Sequence, residues 1–257
     1  MSPAELVALE RAALRSWPAL ETIEDDGWLL RFSGGYTQRA SSATVLRAGS
    51  TDRLAARVAA CEEAYRARGL PPIFRLVSFA GAEALDALLE ARGYRRHDES
   101  LVMTLPAIGA EGPGAGEGRG GSQGEVVALD LEAWLPLYER MNGKDAGQRA
   151  QHRALLEAIP GRRFLAALSG CAGPAAVGLA VVEGGWAGVF DVAADPAQRG
   201  QGLGGRLMTG MLGWAAGAGA SGAYLQVLIA NTPAVRLYQR LGFVEAYRYG
   251  YRTAPNA

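Results

Sequence analysis

The residues best suited to chemistry lie in one glycine-rich stretch of the second half of the chain. It runs from Asp191 to Arg206 and reads Asp-Val-Ala-Ala-Asp-Pro-Ala-Gln-Arg-Gly-Gln-Gly-Leu-Gly-Gly-Arg. A predicted strand leads into a loop, and the loop leads into a predicted helix. Glycines let several backbone N–H groups converge without a Cβ in the way, and the N-terminus of a helix attracts anions. The stretch therefore predicts a cradle for a pyrophosphate group, with Arg199 and Arg206 adding charge-assisted contacts.

The same glycines allow two other interpretations. Gly200, Gly202 and Gly205 also satisfy the dinucleotide-binding pattern, which needs an acidic residue about 20 positions further on for the ribose hydroxyls. No Asp or Glu occurs between Pro196 and Val244, so this interpretation is disfavoured. A purely structural glycine-rich turn remains an alternative. A Walker-type nucleotide loop is excluded, since the only lysine of the chain is Lys144 and the motif requires Gly-Lys-Ser/Thr.

The elements that position this stretch can be predicted from hydrophobic periodicity, capping residues and glycine breaks. A capping box at Ser2 opens the first helix. In the first half we predict helices and strands in the order helix 2–17, strands 27–32 and 43–47, helix 51–68, strand 73–79, helix 82–92 and strand 101–105. In the second half the order is helices 130–141 and 148–159, strands 163–168, 175–183 and 187–193, helix 203–216, strand 223–229, helix 233–241 and strands 243–246 and 249–253.

The two halves end with the same succession of elements, 149 residues apart. Gly93-Tyr94 falls on Gly242-Phe243 at this offset. We interpret this as a tandem repeat of one α/β module, with chance alternation of helices and strands as the alternative. Residues 109–124 contain eight glycines in sixteen positions, which is typical of a flexible linker. The expected organisation is a first module at 1–106, a linker at 107–124 and a second module at 125–257.

Composition excludes several classes of function. The 257 residues are 49% hydrophobic, which suffices for one large or two modest cores. The 26 basic and 26 acidic residues balance without a dense basic run, so we expect no nucleic-acid partner. The two cysteines and two histidines lack metal-ligand spacing, so no metal site is expected. No signal peptide is evident and glycine or proline turns interrupt the charge-free stretches, which predicts a cytoplasmic protein without a membrane partner.

Two motifs in order resemble the signatures of the GNAT (GCN5-related) N-acetyltransferase superfamily. Arg199-x-x-Gly202-x-Gly204 matches its pyrophosphate loop. The second motif starts at Asn231, 27 residues after Gly204, and reads Asn-x-x-Ala-x-x-Leu-Tyr-x-x-x-Gly-Phe. The resemblance is firm over residues 125–253, and the whole chain looks like tandem-GNAT proteins with a degenerate N-terminal copy. It implies an α/β fold of two tandem GNAT-like modules, each a mixed, mostly antiparallel sheet flanked by helices.

The resemblance also implies roles for individual residues, with acetyl-CoA as the co-substrate. The backbone of Val192, Ala193 and Ala194 would pair with the pantetheine arm like an added strand. Asn231 would contact the pantetheine or acetyl region, and Tyr238 would place its phenol near the thioester sulfur. The pyrophosphate would be held by the loop residues Arg199, Gly200, Gln201, Gly202, Leu203, Gly204 and Gly205.

The residues themselves support some of these roles and leave others open. A departing thiolate needs a proton, which a phenol such as Tyr238 can donate; the alternative role of Tyr238 is packing alone. Asn231 can equally form a helix-entry turn, because Asn-Thr-Pro is typical turn chemistry. Some relatives place a glutamate as general base on strands where this chain has Gly188 and Gln226. Asp191, Glu183 and a water chain remain candidates for the base.

The predicted function is transfer of acetyl from acetyl-CoA to the primary amine of a small molecule or a peptide end by direct attack. The alternative is a non-catalytic acyl-CoA-binding or regulatory module. The first half lacks the cradle, because Gly202 and Gly204 correspond to Arg53 and Ala55. The acceptor identity and the oligomeric state cannot be derived from the sequence. An acceptor wall is expected from Trp134, Tyr138, Tyr249, Tyr251 and Arg252, with help from the segment 28–37, and Arg252 would bind a carboxylate.

Overall fold

The computed structural model describes residues 1–109, 125–143, 146–170 and 173–255. Most of the predicted linker, 110–124, lies outside these ranges. The helices are α1 (Pro3–Ser16), α2 (Leu54–Arg66), α3 (Glu83–Ala91), α4 (Leu131–Asn142), α5 (Arg149–Glu157), α6 (Leu203–Gly217) and α7 (Thr232–Arg240). The strands are β1 (Glu21–Asp25), β2 (Trp28–Phe32), β3 (Ala43–Val45), β4 (Ile73–Val77), β5 (Arg95–Leu105), β6 (Val126–Ala128), β7 (Arg162–Gly170), β8 (Gly173–Glu183), β9 (Trp186–Ala194), β10 (Gly222–Leu228) and β11 (Val244–Thr253).

All these strands join one mixed sheet in the order β1-β2-β3-β4-β11-β5-β10-β9-β8-β7-β6. Its neighbours are antiparallel except for two parallel pairs, β3–β4 and β9–β10. The last strand of each half pairs with strands of the other half. Strand β5 pairs with β10 of the second half, and β11 lies between β4 and β5. The predicted division at residues 1–106 and 125–257 therefore separates strands that share one hydrogen-bonded ladder.

The repeat at an offset of 149 is visible in the element boundaries. Helices α2 and α6, strands β4 and β10, helices α3 and α7, and strands β5 and β11 each begin 149 residues apart. Helices α3 and α7 also end with the same chemistry, because Gly93 and Gly242 both adopt positive φ just after the helix. Four elements of the two halves thus follow one another at the same spacing, and the interpretation of the first half as a degenerate copy stays a prediction.

Buried polar contacts hold the first helix against both halves of the sheet. Glu10 of α1 forms a fully buried ion pair with Arg75 of β4 and accepts a hydrogen bond from the Tyr247 hydroxyl of β11. At the end of α1, Trp17 stacks on Phe190 of β9, with ring centres 5.4 Å apart. Removing one member of a buried ion pair leaves an uncompensated buried charge, which strongly destabilises the fold. The helix is thereby fixed over the junction of the two copies.

Several element predictions need correction. Strands β1 and β6 were not predicted; β1 is exposed along its whole length and β6 has only three residues, so neither shows a hydrophobic alternation. The two strands expected at 243–246 and 249–253 are one strand, β11, with register shifts after Glu245 and Tyr249. Bulges of this kind interrupt the period-two pattern without ending the strand. No helix among the described residues is long and apolar enough to cross a bilayer.

Candidate active site

A cavity opens where the parallel strands β9 and β10 separate. Their last ladder pair is Val189–Leu225, yet β9 continues to Ala194 and β10 to Leu228. The cavity has a volume of about 200 Å³. It is lined by Arg39, Tyr138, Asn142, Val189, Phe190, Asp191, Val192, Leu225, Gln226, Val227, Leu228, Asn231 and Tyr238.

A β-bulge in β9 shapes one wall of this cavity. Phe190 pairs with Leu179 and Ala193 with Val177, so Asp191 and Val192 together oppose the single residue Gly178. Asp191 has φ +50°, in the left-handed region that few non-glycine residues adopt. Bulges re-aim side chains and interrupt pairing. The bulge places the Asp191 side chain at the cavity and leaves the backbone from Val192 onward unpaired with β10.

Asp191 is held by a buried histidine that the sequence analysis did not single out. His152 Nε2 of α5 lies 2.9 Å from Asp191 Oδ2, and the His152 side chain is only 2% exposed. The rings of Tyr36 and Tyr138 lie 5.0 Å from the imidazole, centre to centre. Trp17 and Trp134 complete this aromatic enclosure at 6.0 Å. The enclosure combines side chains of both halves and fixes the imidazole against the carboxylate.

The two tyrosines of the enclosure remain protonated donors beside the carboxylate. Burial and the negative charge of Asp191 raise the pKa of the Tyr138 phenol well above its ordinary value, and the pKa of Tyr36 rises for the same two reasons. The Tyr138 hydroxyl also accepts a hydrogen bond from Asn142 Nδ2 at 2.7 Å. Asp191 therefore faces the cavity with hydrogen-bond donors behind it.

Tyr238 lies on α7 and also lines the cavity. Its side chain is buried, and burial raises the pKa of its phenol to about 12. No described residue forms a hydrogen bond with its hydroxyl, which is consistent with burial being the sole cause of that shift. A phenol in this environment keeps its proton at neutral pH and can donate it to an anion in the cavity. The structure places Tyr238 beside the strand gap, and its role in catalysis stays a prediction.

The predicted cradle lies at the start of α6. Gly200 and Gly202 have φ +78° and +71°, and a Cβ built on either would meet no atom within 4 Å. The helix begins without a side-chain cap, so the N–H groups of its first turn, from Leu203 to Gly205, are left for a ligand. Arg199 is exposed and forms no ion pair with a described residue. Open space, uncapped donors and a free cation are the features that a pyrophosphate requires.

Some of the other residues predicted to bind the coenzyme are packed within the fold. The Leu203 side chain is buried in the core between α6 and the sheet. A Cβ on Gly204 would lie 3.0 Å from Leu237 of α7, so a glycine lets the two helices approach closely. Gln201 is exposed, and Ala193 is buried in β9. A coenzyme contact of Leu203, Gly204 or Ala193 would therefore involve their backbone groups, and the contacts of this loop stay predictions.

Asn231 has the structural role that its sequence context predicted. Its Oδ1 accepts a hydrogen bond from the Ala234 N–H at 3.3 Å and so caps α7. Asn231 also lines the cavity, so a coenzyme contact through its amide group stays a prediction. Glu183, another candidate base, pairs with Arg15 at 2.6 Å and does not line the cavity.

A second cavity of about 340 Å³ adjoins the first, and the two share Arg39 and the segment 226–228 of β10. Its walls are polar and aromatic: Tyr36, Thr37, Gln38, Asp98, Ser100, Tyr249 and Tyr251 complete the lining. Gln226 stands between the two cavities, and its Oε1 is buried without a hydrogen-bond partner. An orphaned carbonyl oxygen at this point can accept a hydrogen bond from a bound amine.

Of the predicted acceptor wall, the tyrosines of β11 line a cavity, so their contact with an acceptor stays a prediction, whereas Arg252 is engaged elsewhere. Tyr249 and Tyr251 line the second cavity. Arg252 instead donates to Asp86 Oδ1 at 2.8 Å and to the Tyr94 carbonyl at 3.0 Å, so its guanidinium is engaged in the first half. Trp134 is fully buried and donates to the Ala166 carbonyl. No group of three or more His, Cys, Asp or Glu side chains in the described part of the chain could hold a metal ion.

The sequence carried no signal for the His152–Asp191 pair or for Arg39. His152 is one of two histidines, and it lies 39 residues before Asp191 with no motif that joins the two. Its burial depends on four rings from three separate segments, of which only α4 supplies two. Arg39 belongs to a 3-10 turn, Gln38–Ala40, among many other arginines. Both contacts arise from tertiary packing across the two halves.

Comparisons with known proteins support the same fold. The solved structure of a GCN5-related N-acetyltransferase from Kribbella flavida superimposes with a TM-score of 0.76 at 15% identity, covering 98% of this chain and 96% of that one. A tandem GNAT protein from the clavulanic acid biosynthesis pathway superimposes with a TM-score of 0.63 at 16% identity, over 98% and 94% of the two chains. The predicted fold class of tandem GNAT-like modules is confirmed.

Sequence comparison extends the agreement to almost the full length. The protein called uncharacterized N-acetyltransferase YobR, from Bacillus subtilis, is 27% identical over 244 residues, which cover 95% of this chain and 96% of that protein. The family model described as "Probable histone acetyltransferase Rv0428c C-terminal" matches residues 3–252. Since that match spans nearly the whole sequence, the chain belongs to this family of GNAT-type acetyltransferases.

Proposed function

We propose that this protein transfers acetyl from acetyl-CoA to the primary amine of a small molecule or a peptide end by direct attack. The observation that carries the proposal is one cavity lined by both a carboxylate, Asp191, and a protonated phenol, Tyr238. The glycine cradle of α6 supports a pyrophosphate-bearing donor at the same site. Acid and base groups facing one another across a ligand gap are what amide formation from a thioester needs.

The coenzyme fits this part of the chain on physical grounds. Its pyrophosphate would accept hydrogen bonds from the first N–H groups of α6, where a Cβ at Gly202 would occupy the ligand's space. Arg199 would add a charge-assisted contact. The pantetheine arm would run along β9 from Val192 to Ala194, which has no strand partner on the β10 side. This arrangement carries the thioester toward Tyr238.

The proposed step moves one acetyl group and releases one proton overall. Asp191, held by His152, accepts a proton from the acceptor ammonium and later releases it to solvent, and the resulting amine attacks the thioester carbon. The C–N bond forms, and the C–S bond breaks as Tyr238 donates its proton to the departing thiolate. The nitrogen gives up its second proton to the Tyr238 phenolate, which restores the phenol. Gln226 Oε1 would orient the amine, since it faces both cavities without another partner.

The first half, residues 1–106, is proposed to be a degenerate copy that binds no coenzyme. It contributes side chains to the site instead: Trp17 and Tyr36 enclose His152, and Arg39 lines both cavities. The second half, 125–257, would carry the chemistry. Under this proposal the acceptor enters from the side of β5 and β11, where the larger cavity lies.

A screen for thiol release tests the proposed function. The full-length protein would be incubated with acetyl-CoA and with amines, amino acids, aminoglycosides, short peptides and, because of the family description, a histone-tail peptide. We expect thiol release that depends on an acceptor, with the N-acetyl product identified by mass spectrometry. Reactions without acceptor measure hydrolysis of the thioester alone.

The screen also distinguishes the alternative of a non-catalytic acyl-CoA-binding module. That alternative is favoured by the glycine and glutamine at the strand positions where some relatives carry a glutamate, Gly188 and Gln226. Binding of acetyl-CoA, measured as an increase in thermal stability, without turnover of any acceptor would support it. Turnover without such stabilisation at the cradle would contradict the coenzyme site proposed here.

A further inference from the structure

Arg39 lies where the two cavities of the site meet. It lines the cavity of about 200 Å³ beside Asp191 and also the cavity of about 340 Å³ beside β11. The residue comes from the first half, in the 3-10 turn Gln38–Ala40. The first half thus delivers a cation to a site whose proposed acid and base belong to the second half.

Three kinds of contact fix this side chain in place. Its guanidinium carbon lies 5.6 Å from the ring centre of Trp17 and 5.7 Å from that of Phe190. Its backbone carbonyl accepts a hydrogen bond from Arg31 Nη1 at 2.5 Å. The turn is capped by the Thr37 hydroxyl, which accepts from the Ala40 N–H at 3.3 Å. Stacking on aromatic faces orients a guanidinium while leaving its edge donors available.

Those donors are not satisfied within the protein. No carboxylate of the described residues lies within 4.0 Å of the Arg39 guanidinium, whereas Arg75 is paired with Glu10 and Arg252 with Asp86. The residue is partly exposed, and although its Nε is buried without a hydrogen-bond partner, its side chain lines both cavities. A charged donor that lines a cavity without a protein acceptor is available to an acceptor on a ligand.

The charges that line the cavities indicate what that ligand carries. Among the described residues, Arg39 and Asp191 are the only charged side chains lining the smaller cavity. The larger cavity adds Asp98, whose carboxylate lies 3.2 Å from His97 Nδ1. One cation and one anion in a space of this size match a small molecule with an ammonium and a carboxylate close together. A planar guanidinium is suited to bind a carboxylate through two parallel hydrogen bonds.

We infer that the acceptor is a free α-amino acid whose carboxylate binds Arg39 while its amine faces Asp191. Its side chain would extend into the larger cavity, between Tyr36 and the tyrosines of β11, Tyr249 and Tyr251. The assignment of the amine rests on the proposed acetyltransferase function, whereas the assignment of the carboxylate rests on Arg39 alone.

Equilibrium binding to the full-length protein saturated with CoA tests the carboxylate assignment without requiring turnover. The probes are the standard L-amino acids and their α-carboxamides, which keep the amine and side chain and lose the negative charge. We expect the best-bound acid to exceed its amide about 10- to 100-fold in affinity, as for a hydrogen-bonded charged contact. Arg39→Gln should remove this preference, and Arg39→Lys should restore only part of it. The control Arg53→Gln, at an exposed arginine outside both cavities, should leave it unchanged.

Each result decides one of the two claims. Equal binding of acids and amides by the wild-type protein would overturn the inference, and this comparison needs no variant. A loss of acetyl-CoA-induced stabilisation in both Arg39 variants, which would assign Arg39 to the coenzyme, would overturn it as well. Acid-selective binding without acetylation of the bound acid would leave the carboxylate site standing and contradict the acetyltransferase proposal. Acetylation of amines with no preference for a carboxylate would support the acetyltransferase proposal and contradict the carboxylate site at Arg39.

Discussion

The sheet contains two parallel strand pairs at corresponding places of the repeat, and they end differently. Strand β3 stops where its ladder with β4 stops, with Val45 opposite Leu76. Strand β9 continues five residues beyond its last pair with β10, Val189–Leu225. The first pair is closed, and the second opens into a cavity with Asp191 at its wall. A bulge and a longer strand thus separate a structural copy from one with space for a ligand.

The helices that connect the two strands of each pair also begin differently. Neither α2 nor α6 has a side-chain cap, but α6 starts after two left-handed glycines, Gly200 and Gly202. Helix α2 starts after a 3-10 turn, Thr51–Arg53, whose Asp52 places a carboxylate near the helix N-terminus. An acidic residue there interacts favourably with the helix dipole and disfavours a bound phosphate. The first copy keeps the architecture of the second and lacks the features that would receive an anion.

The largest effect is expected at Tyr238, whose counterpart in the first half is Leu89. Tyr238→Phe should lower kcat about 10²- to 10⁴-fold, since general-acid assistance is typically worth that much. Affinity for acetyl-CoA should change little. Because the pKa of Tyr238 is raised to about 12, the wild-type protein should not lose its acid between pH 7 and 10.

Steady-state rates at saturating acceptor and equilibrium binding of acetyl-CoA provide the measurement. The matched control is Tyr94→Phe, which removes a phenol hydrogen-bonded to Glu62 and gives the first half the residue found at the corresponding position, Phe243. An unchanged kcat in Tyr238→Phe, with chemistry limiting, would make Tyr238 a packing residue.

The next effect concerns the carboxylate of the bulge. Asp191→Asn should lower kcat/KM by about 10²-fold, because the base is lost while asparagine tolerates the positive φ of this position. His152→Gln should have a smaller effect, about 10-fold, since it removes only the group that orients the base. The measurement is kcat/KM for the acceptor at saturating acetyl-CoA. A value equal to that of the wild type would assign the base elsewhere.

A smaller effect is expected on coenzyme binding at the cradle. Acetyl-CoA at about 100 times its dissociation constant should add about 2.7 kcal/mol to the free energy of unfolding of the wild-type protein. Gly202→Val should remove this increment, because its side chain would occupy the phosphate space. The control Gly219→Val strains a similar left-handed position, φ +94°, at the other end of α6. Denaturant unfolding with and without acetyl-CoA measures the stabilisation in both variants. An equal loss of stabilisation in Gly202→Val and Gly219→Val would indicate general strain.

The smallest effect is expected at the corresponding position of the first half. Arg53→Gly places a glycine where the second copy has Gly202. Because β3–β4 remains closed, the acetyl-CoA-induced stabilisation should stay within about 0.5 kcal/mol of wild type. The same unfolding measurement applies. A clear increase would show that the first half needs only a glycine to bind the coenzyme.

Local chemistry explains which features the sequence predicted. The capping box of α1 and the Asp130 cap of α4 form as expected, because both depend on residues three positions apart. The glycine loop before α6 was predicted for the same reason. The positions of β5 and β11 in the sheet were not predicted. Alternating strands of similar length can pair with either neighbour, and only the packing of the whole sheet determines which pairs form.

The missed site residues depend on contacts between distant segments. His152 becomes a partner of Asp191 only after α5 packs under rings from α1, α4 and the loop at Tyr36. Arg252, predicted to bind the acceptor, is drawn to Asp86 of α3. Spacing within one segment carries no information on such pairs. The chemistry of a loop can be predicted from its residues, whereas the cavity it serves depends on the sheet that supports it.

The number of acetyl-CoA molecules bound per chain tests most directly whether the two copies differ as described. Calorimetric titration of the full-length protein should give a stoichiometry of one, and Gly202→Val should abolish measurable binding without unfolding the protein. Binding of two molecules per chain, or of one molecule that Gly202→Val leaves intact, would contradict the assignment of the coenzyme site to the gap between β9 and β10.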